Sequence, residues 1–403
     1  MNIVAIIAEY NPMHNGHILN IQKAKELSHA DYALSIMSGS FTELGNVACF
    51  NKFMRAKCAI ENGLDMVIEL PQIYALSSAE DFATGAVNIL NNTGIVTHLA
   101  FGAETDNLDL LLNIAKTSIR KKDEILKKIK EISNSGTSFA LSLDTIMKSY
   151  LTDEEYEEFS KPNNILAIEY LKALVRSKSK IKPVLIKREY SFHNDKKLSL
   201  NAKFASSTAI REILSSKKSD LNEKLEIFKN SVPDNTLNLI KNYNYNTNEN
   251  LFNILKYEIL KLGKNGLKDI LDVCEGLENK LYNEIANSTS YNEYIFNVKS
   301  KRYTLARIKR ICAYVILSIT KEKKERLKNT MYVRILKISK DKKDLLSYLN
   351  ANSKIPVISK FTDYITNSKD ICESIELDVL ANNIAFNFNE DYTNNIIKEP
   401  PNI

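Results

Sequence analysis

Ile3-Val4-Ala5-Ile6-Ile7-Ala8-Glu9-Tyr10-Asn11-Pro12-Met13-His14-Asn15-Gly16-His17 passes from a run of apolar residues, through an Asn-Pro turn, into an amphipathic helix, HILNIQKAKEL (17–27). The apolar run reads as a strand buried on both faces. A helix that starts at its end presents unpaired backbone N–H groups and the positive end of the helix dipole, an arrangement suited to phosphate. His14 and His17, three residues apart on that first turn, face one ligand and can donate ring N–H bonds to phosphate oxygens. Gly16 would let a phosphate come close to the backbone. Two of the chain's five histidines lie in this one turn.

The same pattern repeats along the next two hundred residues. YALSIMS (32–38), MVIEL (66–70), HLAFGAE (98–104) and PVLIKREY (183–190) are short runs rich in branched and aromatic residues and read as strands. Between them NKFMRAKCAIENG (51–63), SAEDFATGAVNILNNTG (78–94) and NILAIEYLKALVRSK (164–178) have helical patterns. Buried strands alternating with helices predict an α/β, doubly wound parallel sheet, whose ligands bind at the carboxyl ends of the strands beside the topological switch point. A helical tract at about 106–160 looks inserted into the alternation.

After SSTAIREILSSKK (206–218) the strand signals fade. LFNILKYEILKLG (251–263), KNGLKDILDV (264–273) and YTLARIKRICAYVILSIT (303–320) read as helices, MYVRILKIS (331–339) as a strand, DKKDLLSYLN (341–350) as a helix and IPVIS (355–359) as an apolar turn. We expect two domains, 1–218 and a mainly α-helical 219–403, with partial disorder in the Asn-rich tail from about 381.

A chain of 403 residues is long enough for two cores. No run approaches the roughly 18 apolar residues of a membrane helix, and the N-terminus lacks a basic, cleavable leader. We therefore expect a cytoplasmic protein with no membrane partner. Cys49, Cys58, Cys274, Cys312 and Cys372 are scattered without C-x-x-C spacing, so neither a disulfide framework nor a protein-bound metal is expected. The net charge of +6 is unevenly spread: fifteen basic against four acidic residues between 301 and 350, and more acidic than basic residues in both 1–100 and 351–403. Such a cluster suits a polyphosphate partner, whose neutralisation releases condensed counterions. Arg302, Arg307, Lys309 and Arg310 share the stretch KRYTLARIKR (301–310), with Tyr303 beside them as a base-stacking candidate.

His14-x-Gly16-His17 after a first strand is similar to the T/H-x-G-H motif of nucleotidyltransferases and class I aminoacyl-tRNA synthetases. Ser206-Ser207-Thr208-Ala209-Ile210-Arg211 resembles their second motif, I-S-S-T-x-x-R. The segments EYNPMHNGH (9–17), MSGSF (37–41), NKFMRAK with Lys52 and Arg55, DMVIELP (65–71), FGAE (101–104), KPNNILAIEYLKAL (161–174), VLIKRE (184–189), EGLENK (275–280), YTLARIKR and YVRILKI (332–338) narrow the likeness. Together they resemble the bacterial tRNA(Met) cytidine acetate ligases, from residue 1 to about 360.

The resemblance implies a Rossmann-like, HIGH-type nucleotidyltransferase domain. It implies an enzyme that joins acetate to ATP as acetyl-adenylate and acetylates the wobble cytidine of elongator tRNA(Met). ATP contacts carried over fall on Ile7, Ala8, Glu9, Tyr10, Asn11, Pro12, Met13, His14, Asn15, Gly16, His17, Ile18, Leu19 and Asn20, then on Gly102, one of Asn163 and Asn164, and Arg188. His14 and His17 are expected at the α-phosphate, and Ser206, Thr208 and Arg211 at the β- and γ-phosphates. Catalysis would be mainly positioning and electrostatic, by His14, His17 and Arg211, with Mg2+ expected on the phosphates. The basic stretch would meet the tRNA. One departure stands out: where the family usually reads F-x-Q-R-G-E-P-A, this chain has Phe41-Thr42-Glu43-Leu44-Gly45-Asn46-Val47-Ala48. The arginine is lost, and Lys52 and Arg55 are its candidate substitutes. A small-metabolite adenylyltransferase would use the same two motifs, and a catalytically impaired RNA-binding homologue would bear such a departure. Acetate-dependent exchange of pyrophosphate into ATP separates the three.

Overall fold

The computed structural model describes residues 1–133, 139–188, 203–216, 220–274, 276–359 and 365–386. Their strands β1 (Ile3–Ala8), β2 (Tyr32–Ser38), β3 (Met66–Leu70), β4 (His98–Ala103), β5 (Lys182–Lys187), β6 (Val333–Ile338) and β7 (Val357–Ile358) form one sheet in the order β5-β4-β1-β2-β3-β6-β7. The first five are parallel, with Ile3 opposite Tyr32 and Val4 opposite His98. From β1 the chain winds outward through β2 and β3, then returns to place β4 and β5 on the other side. The switch point therefore lies between the carboxyl ends of β1 and β4, where ligands of such sheets bind.

Alternation along each strand separates two apolar layers. Ile3 and Ala5 of β1, Leu34 and Ile36 of β2, and Met66 and Ile68 of β3 face a core shared with helices Ala79–Thr93 and Pro162–Arg176. Val4, Ile6, Ala33, Met37 and Val67 face the opposite layer, against helices Asn15–Ser28, Lys52–Glu61 and Ser207–Ser215. The tract expected as an insertion is helical, from Leu108–Arg120 to Asp153–Ser160, with a small core of its own around Ile125, Ile129, Ile146 and Met147.

The C-terminal half is mainly helical, but it also completes the sheet. β6 pairs antiparallel with β3, placing Arg334 opposite Glu69, and β7 adds to its far side. The first apolar layer runs on from the sheet into Leu255, Ile308, Leu345 and Phe386, so the two halves share a core. Of KNGLKDILDV only Lys264–Leu267 is helical: Gly263, with φ 60° and ψ −179°, kinks the chain into it, and Ile270 pairs with Thr320. Residues 381–386 end the helix Lys369–Phe386, while 189–190, 217–219 and the tail from 387 lie outside the described residues. No described helix is long and apolar enough to cross a membrane.

A buried ionic cluster fastens the added strand. The Glu69 carboxylate accepts from Lys52 Nζ at 2.8 and 3.0 Å and lies 3.1 Å from Arg334 Nη1, all three being buried. Asp378 arrives from the last helix to accept from Gln72 N at 2.7 Å and from the Tyr332 hydroxyl. Burial pushes the Lys52 pKa down and the Asp378 pKa up. Breaking a buried pair by removing one partner leaves a bare charge in an apolar place, at a cost of about 3 to 5 kcal/mol. Glu69→Gln should therefore lower the stability measured by denaturant unfolding by an amount in that range. A stability within about 1 kcal/mol of wild type would show that the cluster does not hold β6 in place.

Candidate active site

The turn after β1 is shaped by its own contacts. Tyr10 is buried with φ 44°, and its ring meets the edge of His17 at a centroid distance of 5.1 Å. His14 is the N-cap of helix Asn15–Ser28. Its Nδ1 accepts from Gly16 N at 3.1 Å, while His17 Nδ1 accepts from His14 N at 3.3 Å. Both Nδ1 atoms therefore act as acceptors towards backbone N–H groups. A neutral imidazole bonded in this way carries its proton on Nε2. The two rings stack at 3.8 Å and present two Nε2–H donors from one helix start. Gly16 eases this packing: a Cβ there would lie 3.0 Å from the His14 ring, which would have to give way slightly.

The second motif docks on the first. Ser206 caps helix Ser207–Ser215 by accepting from Ala209 N at 3.1 Å, and Ser207 Oγ donates to Pro12 O at 3.3 Å. Arg211 donates to Asn11 O at 2.5 Å and to Thr208 Oγ1 at 3.1 Å, so its guanidinium sits at the turn that precedes His14. From the β4 side, Arg188 crosses over Gly102, where a Cβ would lie 2.8 Å from its Nε, and donates to Asn163 Oδ1 at 2.8 Å. Asn163 in turn donates to Glu104 Oε1 at 2.9 Å. Asn164 is fully buried and bonds Glu104 N and Glu158 at 2.8 Å each. Of the two asparagines, Asn163 touches the arginine and Asn164 braces the turn beneath it.

The remaining residues of the turn divide by burial. Tyr10, Asn11, Pro12 and Met13 are buried, whereas Ile7, Ala8, Glu9, Asn15, Ile18, Leu19 and Asn20 are half-buried around it. Asn11 Oδ1 accepts from Cys49 N at 2.8 Å, and Asn15 Nδ2 donates to Lys203 O and Asn230 O at 3.1 and 2.9 Å. Glu9 Oε1 accepts from Glu43 N at 2.9 Å, and burial pushes its carboxyl pKa up.

Lys52 and Arg55 do not replace the missing loop arginine. Both are fully buried, Lys52 on Glu69 and Arg55 on main-chain carbonyls. The loop 41–47 takes its cations from helix Leu305–Ile316 instead. Arg310 Nη1 lies 3.6 Å from Glu43 Oε1, and Lys309 Nζ donates to Asn46 Oδ1 at 3.1 Å. The sequence grouped these two with Arg302 and Arg307 as RNA-binding residues, and only Arg302 of the four is exposed. Arg307 donates to Asp272 O at 2.9 Å with its guanidinium 5.0 Å from the Tyr303 ring, which is buried and donates to Cys274 O. Tyr303 is a core residue, not a stacking platform.

Burial, then the charges of Arg188 and Arg211, push the His14 pKa down to about 3, and burial, with His14 and Arg188, pushes that of His17 well below the usual range. Both rings are neutral donors at physiological pH. The His14 ring resonances should stay flat between pH 8 and 5 in an NMR titration, where an ordinary imidazole titrates near 6.5. The unfolded chain takes up that proton near pH 6.5 and the folded one does not, so acid should erode stability below pH 6.5. A His14 midpoint near 6.5 would remove the neutral-donor assignment.

With this geometry in place, comparison with known proteins is informative. The family model described as HIGH Nucleotidyl Transferase matches residues 1–399. The tRNA(Met) cytidine acetate ligase of Clostridium novyi is 38% identical over 94% of this chain and 93% of its own length, and that of Clostridium perfringens 35% identical over 97% and 98%. The crystal structure of Thermotoga maritima TmcAL bound with alpha-thio ATP superposes with a TM-score of 0.86 at 29% identity, covering 96% of this chain and 95% of that one. Likeness that runs from the turn after β1 through the C-terminal helices means that the chain belongs to the HIGH nucleotidyl transferases and, among them, to the family of the tRNA(Met) cytidine acetate ligases.

Proposed function

We propose that this protein is an ATP-dependent acetate ligase that acetylates the N4 amine of the wobble cytidine in elongator tRNA(Met). The relatives named for that reaction and the solved relative holding an ATP analogue support it. The observation that carries it is the pair of Nε2–H donors at one helix start, with Arg211 beside the same turn.

In the first step an acetate oxygen attacks the α-phosphorus of ATP and pyrophosphate leaves. Charge develops on the equatorial oxygens and the bridging oxygen, so preorganised donors lower the barrier without any covalent intermediate on the protein. His14 and His17 serve the α-phosphate, with the N–H groups of the same helix start. Ser206, Thr208 and Arg211 serve the leaving phosphates, and Arg188, aimed by Asn163 over Gly102, holds the nucleotide from the β4 side. In the second step the cytidine N4 attacks the acetyl carbonyl carbon, and AMP leaves with its phosphate still held by the imidazoles. Among the described residues no three His, Cys, Asp or Glu side chains gather to cage a metal. A magnesium ion riding on phosphate oxygens and water needs no such cage and would neutralise phosphate charge there.

The division of labour follows the two halves: 1–218 activates acetate and 219–403 brings the tRNA, in the cytoplasm where that substrate is found. Arg302, flanked by exposed Lys299 and Lys301, is the tRNA-facing part of the basic stretch.

Two experiments test this. His14→Asn keeps a good N-cap but loses the ring donor, so acetate-dependent pyrophosphate exchange should collapse while the melting temperature holds. His14→Ala should lose about 0.5 to 2 kcal/mol of stability as well. Exchange near wild type in His14→Asn would sink the phosphate assignment. Separately, neutralising Lys299, Lys301 and Arg302 together should leave exchange intact. It should weaken tRNA binding and make its log–log salt slope shallower by roughly 0.9 for each phosphate that is no longer neutralised. An unchanged slope would place the RNA surface elsewhere.

A further inference from the structure

Lys309 is badly placed for a solvated RNA-binding face. It lies in the second turn of helix Leu305–Ile316, half-buried, with its ammonium on Asn46 of the loop 41–47. That loop is tied to the phosphate-facing turn by the bond from Glu43 N to Glu9 Oε1, and Glu9 stands two residues before Asn11, whose carbonyl accepts from Arg211. The loop that holds Lys309 thus abuts the turn that holds Arg211, and in keeping with that, burial and then the Arg211 charge lower the Lys309 pKa. The nearby carboxylates are already engaged, Glu43 by Arg310 and Glu9 by the loop backbone.

The helix cannot easily drift away to relieve the repulsion. Gly45 has φ 77°, and a Cβ on it would lie 2.4 Å from Arg310 N and 2.5 Å from the Lys309 carbonyl carbon, so backbone rests on backbone. Asn248 pins the same loop by accepting from Val47 N at 2.7 Å. Two cations held near each other in a partly desolvated crevice disfavour one another's charged form, and a bound anion reverses the sign of that interaction.

We infer that Lys309 completes the polyphosphate site from the C-terminal half, its ammonium joining the Arg211 guanidinium on the pyrophosphate portion of ATP. This rests on the acetate-activating function proposed above and moves Lys309 from the tRNA surface to the first chemical step. It also supplies from a distant helix a cation of the kind that the loop lacks at Leu44.

The test is Lys309→Gln, which keeps a polar side chain of nearly the same length but carries no charge. A charged hydrogen bond to phosphate is worth about 1.5 to 3 kcal/mol, so the Michaelis constants for ATP and pyrophosphate in acetate-dependent exchange should rise by roughly 10- to 100-fold. That for tRNA and its salt slope should not move, and Lys309→Arg should recover most of the loss. Unchanged ATP and pyrophosphate constants would overturn the assignment, as would a raised tRNA constant with a flattened salt slope. A second measurement needs no variant: wild-type protein is treated with an amine-acylating reagent and the Lys309 peptide is quantified by mass spectrometry. Inorganic pyrophosphate alone should protect Lys309 and tRNA alone should not; protection only by tRNA, or by neither, overturns the inference. If wild type shows no acetate-dependent exchange, the proposed function fails, while protection by pyrophosphate still reports on the Lys309 site.

Discussion

The carboxyl edge of this sheet is held by one buried guanidinium. Arg55 donates from Nε to Phe50 O at 2.9 Å, from Nη1 to Glu9 O and Ser38 O at 2.5 and 3.2 Å, and from Nη2 to Gly39 O. It thereby satisfies carbonyls at the ends of β1 and β2 and the carbonyl of Phe50. Its planar fork suits several acceptors at fixed directions, which an ammonium could not match. Burial lowers its pKa only to about 10, so it keeps its charge at physiological pH. Unpaired carbonyls at that edge would cost about 1 to 3 kcal/mol each. The phosphate-facing turn leaves from one of these strand ends and the loop 41–47 from the other, so the positions of both depend on this residue.

That loop is where the halves of the chain meet. Phe41 pairs with Val47 across it, Glu9 holds its Glu43 N–H from the nucleotide side, and Arg310, Lys309 and Asn248 hold it from the helical side. With Glu43-Leu44 in place of the usual Gln-Arg, the joint carries a largely buried carboxyl beside Arg310. Burial and the neighbouring Glu9 push the Glu43 pKa up to about 7, against the pull of Arg310. Because burial holds this carboxyl pKa above its ordinary value, the fold accommodates Glu43 better protonated, and its contribution to stability is lost as pH rises through about 7.

Much of the sheet could be read from sequence because its strands are local signals. Tyr32–Ser38 and Met66–Leu70 begin and end where apolar runs meet turn residues. The helix start at His14 was equally plain, since strand, turn and helix follow within fifteen residues. What could not be read depended on partners distant in sequence. The run 331–339 announced a strand, but nothing local says that it pairs antiparallel with β3 or that Arg334 meets Glu69 there. Lys52, Arg55, Lys309 and Arg310 are indistinguishable by type from surface cations, and their burial follows only from which helices pack on which loop. Tyr303 was misread for the same reason: its hydroxyl finds Cys274 O, twenty-nine residues away, and the ring goes inside.

On the proposed placement of ATP at this turn, the distribution of charge favours imidazoles over further cations at the α-phosphate. Acetate and ATP are both anions, so the first step needs their approach to be tolerated and the departing pyrophosphate to be favoured. Neutral Nε2–H groups stabilise developing charge on the α-phosphate oxygens without binding the ground state as strongly as full cations would, and only such differential stabilisation speeds chemistry. The full charges of Arg188 and Arg211 help keep His14 neutral. The backbone contributes the rest: by occupying both Nδ1 atoms it fixes which nitrogen carries the proton and where it points. The stacked pair at 3.8 Å is compatible with neutral rings, whereas two imidazolium ions at that distance would repel. Ring stacking, capping and the flanking arginines therefore all favour the same protonation state, the one in which the helix start carries two donors and no net charge.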